Sequence, residues 1–173
     1  SRNERNAHSG VVVNLEPEDL APYERFPGDP LAGVALQRDL EQRAFLLGGE
    51  TYAAPAQRLD DFLAQRRSTH LGEINASYQP VVTPSDLSRV LPEPIITALR
   101  EALPAFARRL QGYGHADAVL TGVETRTSSP VRIPRDQDME SLNTRGLIPA
   151  GEGAGYAGGI LSAGIDGIRA AEA

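Results

Sequence analysis

The stretch "GLIPAGEGAGYAGGI", Gly146 to Ile160, holds six glycines in fifteen residues, and only thirteen residues follow it. Glycine loses more backbone freedom on folding than any other residue, so this density implies positive φ or close backbone approach. The "GLIPAG" portion reads as a brief buried strand end, and residues 158–173 read as a helix. A glycine turn opening a helix leaves free N–H groups where partial positive charge gathers. Such a turn suits an anion or an electron-rich ring edge. Gly153 to Gly158 also fits G-x-G-x-x-G. A unit built on that motif needs a second parallel strand and an acidic residue about 20 positions later. Here the acid, Glu152, comes immediately before the glycines, where its carboxylate can accept hydrogen bonds from ligand hydroxyls. The competing reading of the same glycines is a tight connection serving packing alone.

Composition removes several chemistries. There is no Cys among the 173 residues, which excludes disulfides, thiolate catalysis and Cys-type zinc sites. There is no Lys either, and all 17 basic residues are Arg, so Schiff-base chemistry and the P-loop lysine are excluded. An all-Arg basic set beside abundant Ala points to a GC-rich bacterial genome. The net charge of −6 with no dense basic block argues against a nucleic-acid partner. His8, His70 and His115 are scattered and make no metal spacing. No apolar run has the roughly 18 residues of a membrane span, so no membrane partner is expected. The polar opening "SRNERNAHSG" reads as the middle of a longer chain.

Along the chain, Ser9–Leu15 is a β-branched run that predicts a strand, and residues 16–28 predict loop. Asp29-Pro30 caps a helix with Leu31, Val34, Ala35, Leu40, Ala44 and Leu47 on one stripe, stopped by Gly48-Gly49. Residues 56–65 predict a second helix with Leu59, Phe62 and Leu63 inward, and residues 66–82 look irregular. Thr83 to Asp86 opens a helical turn through Leu87 and Val90. Pro92 and Pro94 start a helix carrying Ile95, Ile96, Leu99 and Leu103. Pro104 should kink or restart it, with Phe106 and Leu110 continuing the apolar face. Residues 118–126 alternate as a strand, and "PVRIP" predicts a second. In the last helix Ala163, Gly164, Gly167, Ala170 and Ala171 form a small-residue stripe, with Ser162, Asp166, Arg169 and Glu172 opposite. Internal Gly costs about 1 kcal/mol against Ala, so close approach of another backbone is expected there.

A second candidate site is "RTSSPVRI". Arg126, Ser128, Ser129 and Arg132, on a Pro-stiffened bend, could bind a carboxylate or line a cofactor face. The alternative there is a capped connection between strands with exposed Arg. No Ser-His-Asp set, carboxylate pair or metal set emerges, so no catalytic residue is named.

The segment "GLIPAGEGAGYAGGILSAGIDGIRAAEA" resembles the C-terminal flavin-binding segment of bacterial FAD-dependent (NAD(FAD)-utilising) dehydrogenases, flavoproteins of the two-dinucleotide-fold type. "DAVLTGVETRTSSPVRIPRD" and "PLAGVALQRDLEQRAFLLGGETYAAPAQRLDDFL" are similar to the same family. The resemblance implies that Glu152 binds the ribityl chain or a nearby phosphate of FAD. It makes Gly153, Ala154, Gly155, Tyr156, Ala157, Gly158, Gly159 and Ile160 cofactor-binding, with the last helix aimed at the flavin's pyrimidine edge. Family members are far longer and begin with their own G-x-G-x-x-G for the ADP half of FAD. The implied protein is therefore an α+β fragment of a larger FAD-binding α/β flavoprotein. Residues 1–15 would be a strand returning from the N-terminal part, 16–114 a mainly helical substrate-side insertion, and 115–173 strands plus the flavin segment. The implied partners are that N-terminal part and NAD(P)H or another electron donor, in the cytoplasm. The chain alone should be inactive and should not hold FAD tightly. The rival from another class is a non-enzymatic α+β interaction or small-anion-binding module, using Gly153–Gly159 with Arg126 and Arg132.

Overall fold

Ala54–Arg58 (β1) carries Ala, Gln and Arg, all good helix formers, yet it forms the middle strand of a three-stranded sheet. The computed structural model describes residues 6–125 and 128–173. β1 pairs in parallel with Val82–Pro84 (β2), in the register Ala54 to Val82, and antiparallel with Val119–Thr121 (β3), in the register Ala56 to Thr121. The helix expected over 56–65 is thus corrected at residues 56–58, because pairing on both sides overrides local propensity. Ala56 and Gln57 are fully buried. The Gln57 amide donates to the Arg66 carbonyl (2.7 Å) and accepts from the Leu87 amide (2.9 Å), so burial leaves neither end of it unsatisfied.

The described residues group into two compact units. The first comprises those of Ser1–Asn14 and Arg38–Val123, and the second Leu15–Gln37 and Glu124–Ala173. The chain passes between the units after Asn14, Gln37 and Val123. Leu15–Gln37 groups with residues distant in sequence, and no local composition shift announces such a return.

Ala32–Gly48 (α1) matches the expected helix, and its buried residues Ala32, Leu36, Leu40 and Ala44 repeat every four positions. Leu31, expected on that stripe, is exposed. Gly49, at φ 100°, ends the helix as expected. Residues 17–23, expected as loop, form a 3-10 turn instead, with Glu16 and Asp19 bonding each other's backbone.

In the first unit, Leu59–Leu63 (α2) follows β1, and Glu93–Arg109 (α3) packs Ile96 and Leu103 against Leu59 and Phe62. Leu63 is exposed and not inward. α3 runs on through Pro104 without restarting, since a proline there removes one internal bond while Leu103 stays buried. Phe106 and Leu110 are exposed, so the apolar face ends earlier than expected; Phe106 meets the Tyr113 ring edge-on at 5.8 Å. The turn after Asp86 forms as expected, with the Asp86 carboxylate accepting from the Ser88 amide (3.0 Å). Ser9–Leu15 takes no part in the sheet; β-branched residues gave it strand character, but no partner strand pairs with it. Nor do 130–134 or 146–151 form strands; one isolated bridge joins Arg135 and Ser141. The architecture is α+β, with helices and a small mixed sheet.

Phe62 has 1% of its surface exposed and lies among Leu59, Ile96 and Leu103. Phe62→Ala should cost about 3–5 kcal/mol, read as a lowered midpoint in urea unfolding. An unchanged midpoint would contradict this core.

Candidate functional site

The second unit ends in Ile160–Glu172 (α4), and the glycine turn delivers the chain to it. The turn closes on itself through the Gly155 amide donating to Glu152 O (2.9 Å) and the Tyr156 amide donating to Gly151 O (3.0 Å). Gly155 sits at φ 82° with its bare side against the chain at 131–132. A Cβ there would stand 2.7 Å from Val131 O and 3.0 Å from the Arg132 Cα, which only glycine avoids. Gly153 and Gly158 have open space instead.

The two candidate stretches pack against each other. The Ile133 amide donates to Ala154 O (3.2 Å). The Ser129 hydroxyl faces Val131 O (2.8 Å) and Gly153 O (3.1 Å), so it holds the bend to the turn. The bend rests on α1, where Gly33 leaves room for Pro130; a Cβ at Gly33 would be 3.1 Å from the proline Cβ. Ser128 and Arg132 are exposed beside this seam, and Arg126 lies outside the described residues. Glu152, Gly153 and Gly158 are exposed, Ala154 is buried, and Gly155, Tyr156, Ala157 and Gly159 are half-buried.

Tyr156 is the hinge pin of this arrangement. Its hydroxyl donates to Ile133 O (3.1 Å) and accepts from the Arg135 amide (3.1 Å). The Arg135 guanidinium lies 3.7 Å from the ring centroid and that of Arg132 lies 4.4 Å from it. Arg135 then reaches α4. It donates to both Asp166 oxygens (2.6 and 3.0 Å) and to Pro149 O (2.7 Å), while Asp166 also accepts from the Gly151 amide (2.8 Å). Asp166 was expected on the outer side of α4, opposite the small residues. It is buried, on the same face as half-buried Ala163 and buried Ala170, because spacings of three and four residues bring the three together. Gly164 and Gly167 are exposed with nothing near their missing Cβ atoms. Arg135 and Asp166 are the residues that sequence reasoning missed. The signal available was a lone carboxylate spaced i, i+3 and i+7 with two alanines, a position that demands a cation.

The pair shapes the local electrostatics. The Arg135 guanidinium and then the Gly151 amide hold the Asp166 carboxyl down at about 2, against an ordinary 3.8, outweighing the opposing effect of burial. Asp166 raises Arg135 in turn. At the other end of the turn, α4 starts from extended Gly159 with no side-chain cap. Its first amides are thereby left for an external acceptor, beside open glycine positions and an exposed carboxylate at Glu152. Those features fit an electron-rich ring edge and a hydroxylated chain. Among the described residues, no three His, Cys, Asp or Glu side chains cluster to hold a metal, and no helix is long and apolar enough to cross a membrane.

The family of FAD-dependent protein, C-terminal domain-like, matches residues 1–127, and the chain belongs to it. A relative from Clostridium beijerinckii (strain ATCC 51743 / NCIMB 8052), described as an uncharacterized protein, is 48% identical over 168 residues. The alignment covers 96% of this chain and 30% of that protein. The chain therefore spans less than a third of the relative's length.

Because Asp166 is held low in the fold, its ionised form contributes stability that is complete above about pH 4 and lost as pH falls toward about 2. Asp166→Asn should unfold more readily than wild type near neutrality, and the gap should narrow on acidification through that window. Urea midpoints measured across it would show this; a gap that stays constant with pH contradicts the pairing.

Proposed function

We propose that this chain is the C-terminal part of a flavin-dependent oxidoreductase of the dehydrogenase type, with Glu152–Ile160 forming the ribityl and isoalloxazine side of the FAD site. The observation that carries the reading is the uncapped start of α4, presented behind a glycine turn whose outer positions are open. Glu152 accepts hydrogen bonds from ribityl hydroxyls, Gly153 and Gly158 admit the cofactor against the backbone, and the amides at Gly159 and Ile160 face its pyrimidine edge. Bound flavin supplies the hydride chemistry, and the chain supplies orientation and electrostatics. The substrate side falls to the bend at 128–132.

The competing packing-only reading accounts for Gly155, which is wedged against Val131 and Arg132, but it gives Gly153 and Gly158 nothing to pack against. α4 offers further support. Opposite its buried face it exposes Leu161, Ile165 and Ile168, an apolar stripe that suits a further partner. The N-terminal, ADP-binding part of the same polypeptide is the partner that this face takes. NAD(P)H or another donor reduces the flavin, and the protein works in the cytoplasm. The chain alone is inactive and holds FAD weakly, since pyrophosphate recognition belongs to the partner part.

In the full-length polypeptide, Glu152→Ala should lower the flavin-to-protein ratio after gel filtration, because a charge-assisted hydrogen bond contributes about 1.5–3 kcal/mol. Gly158→Val should lower it further by filling the open approach. An unchanged ratio in both variants refutes the assignment.

A further inference from the structure

Two guanidinium groups share the Tyr156 ring, and they differ in what else they hold. Arg135 is nearly buried and saturated by Asp166 and the Pro149 carbonyl. Arg132 is exposed, and among the described residues no carboxylate pairs with it. Stacking on a ring face restrains an arginine without using any of its five N–H donors, which then point outward in the guanidinium plane. Restraint of this kind removes much of the entropy cost of ordering a long side chain when a ligand arrives. A second cation beside Arg135 is also electrostatically costly unless an anion joins it.

The backbone at Arg132 is held as firmly as the side chain. Gly155 at φ 82° is wedged against the Arg132 Cα, so the arginine is mounted directly on the glycine turn. Its neighbours in the bend do not compete for a ligand in the same way. The Ser129 hydroxyl is engaged with Val131 O and Gly153 O, and Ser128 carries no charge. The only cation that the described part of the bend offers to an incoming group is Arg132.

We propose that Arg132 is the oxyanion-recognition arm of this site, engaging a carboxylate or phosphate group of the ligand through its forked N–H donors with Tyr156 as its stand. The inference rests on the flavin-site reading for the identity of the whole ligand, but its anion chemistry stands on Arg132 and Tyr156 alone. Such an oxyanion can come from the carboxylate of a substrate or from a phosphate of the cofactor.

The test uses the full-length polypeptide as purified, in wild-type, Arg132→Gln and Arg132→Lys forms. Benzoate is titrated calorimetrically as a planar carboxylate probe, and flavin content is measured after gel filtration. Loss of benzoate affinity by about tenfold or more in Arg132→Gln, with flavin content intact, supports a substrate carboxylate. A fall in flavin content of Arg132→Gln with benzoate binding unchanged or absent supports a cofactor phosphate. In either case Arg132→Lys should recover only part of the loss, because an ammonium lacks the fork. Arg132→Gln matching wild type in both readouts overturns the proposal. A polypeptide that never carries flavin overturns the flavin-site reading, while the benzoate titration still decides the role of Arg132.

Discussion

The Arg135–Asp166 pair ties α4 to two stretches of chain that otherwise have little regular structure to hold them. Arg135 comes from the connector after the bend, Asp166 from the second turn of α4, and the pair also takes up Gly151 and Pro149 from the approach to the glycine turn. Removing two charges from water is expensive, and the attraction between them compensates only when the remaining donors and acceptors are also satisfied. Here they are, and no buried side-chain nitrogen or oxygen among the described residues lacks a partner. The aromatic face of Tyr156 covers the guanidinium from one side. What the pair secures is the place where α4 begins relative to the turn, and hence where its free amides point.

The first unit uses the same kind of device on a smaller scale. Asp61 is buried in the middle of α2, where the Ser68 hydroxyl (2.7 Å) and Arg66 (2.6 Å) satisfy it, and Arg58 stands close by while bonding Asp117. Burial alone would push the Asp61 carboxyl up, but Ser68 and the arginines bring it below its ordinary value. Both units thus use all-arginine chemistry to fix irregular loops, since a planar fork can serve several acceptors at once.

What could be read from the sequence follows from how local each signal is. α1 and α3 were legible because their apolar spacing and their Asp-Pro, Pro-x-Pro and Gly-Gly boundaries lie within a few residues of one another. β3 was legible by alternation, and α4 by the glycine stop before it. β1 was not, because nothing in Ala54–Arg58 favours a strand except partners 28 to 65 residues away. Ser9–Leu15 failed the other way, having strand character without a partner. At the site, the glycine turn and the arginine bend were both visible, but their union depends on Gly155 meeting Val131 and on Ser129 reaching Gly153. Asp166 was misplaced because a helical wheel shows which residues share a face, not which face is covered.

The geometry around Tyr156 also bears on how such a site can change over generations. Replacing Asp166 alone strands a buried guanidinium, replacing Arg135 alone strands a carboxylate, and replacing Tyr156 with Phe unties Ile133 and the Arg135 amide together. None of these single steps leaves the others as they were, so the effects of substitutions within this trio are strongly coupled. Descendants of the site can drift freely at exposed Glu172, but the trio can be exchanged only as a set, making it a lineage marker of the turn it supports.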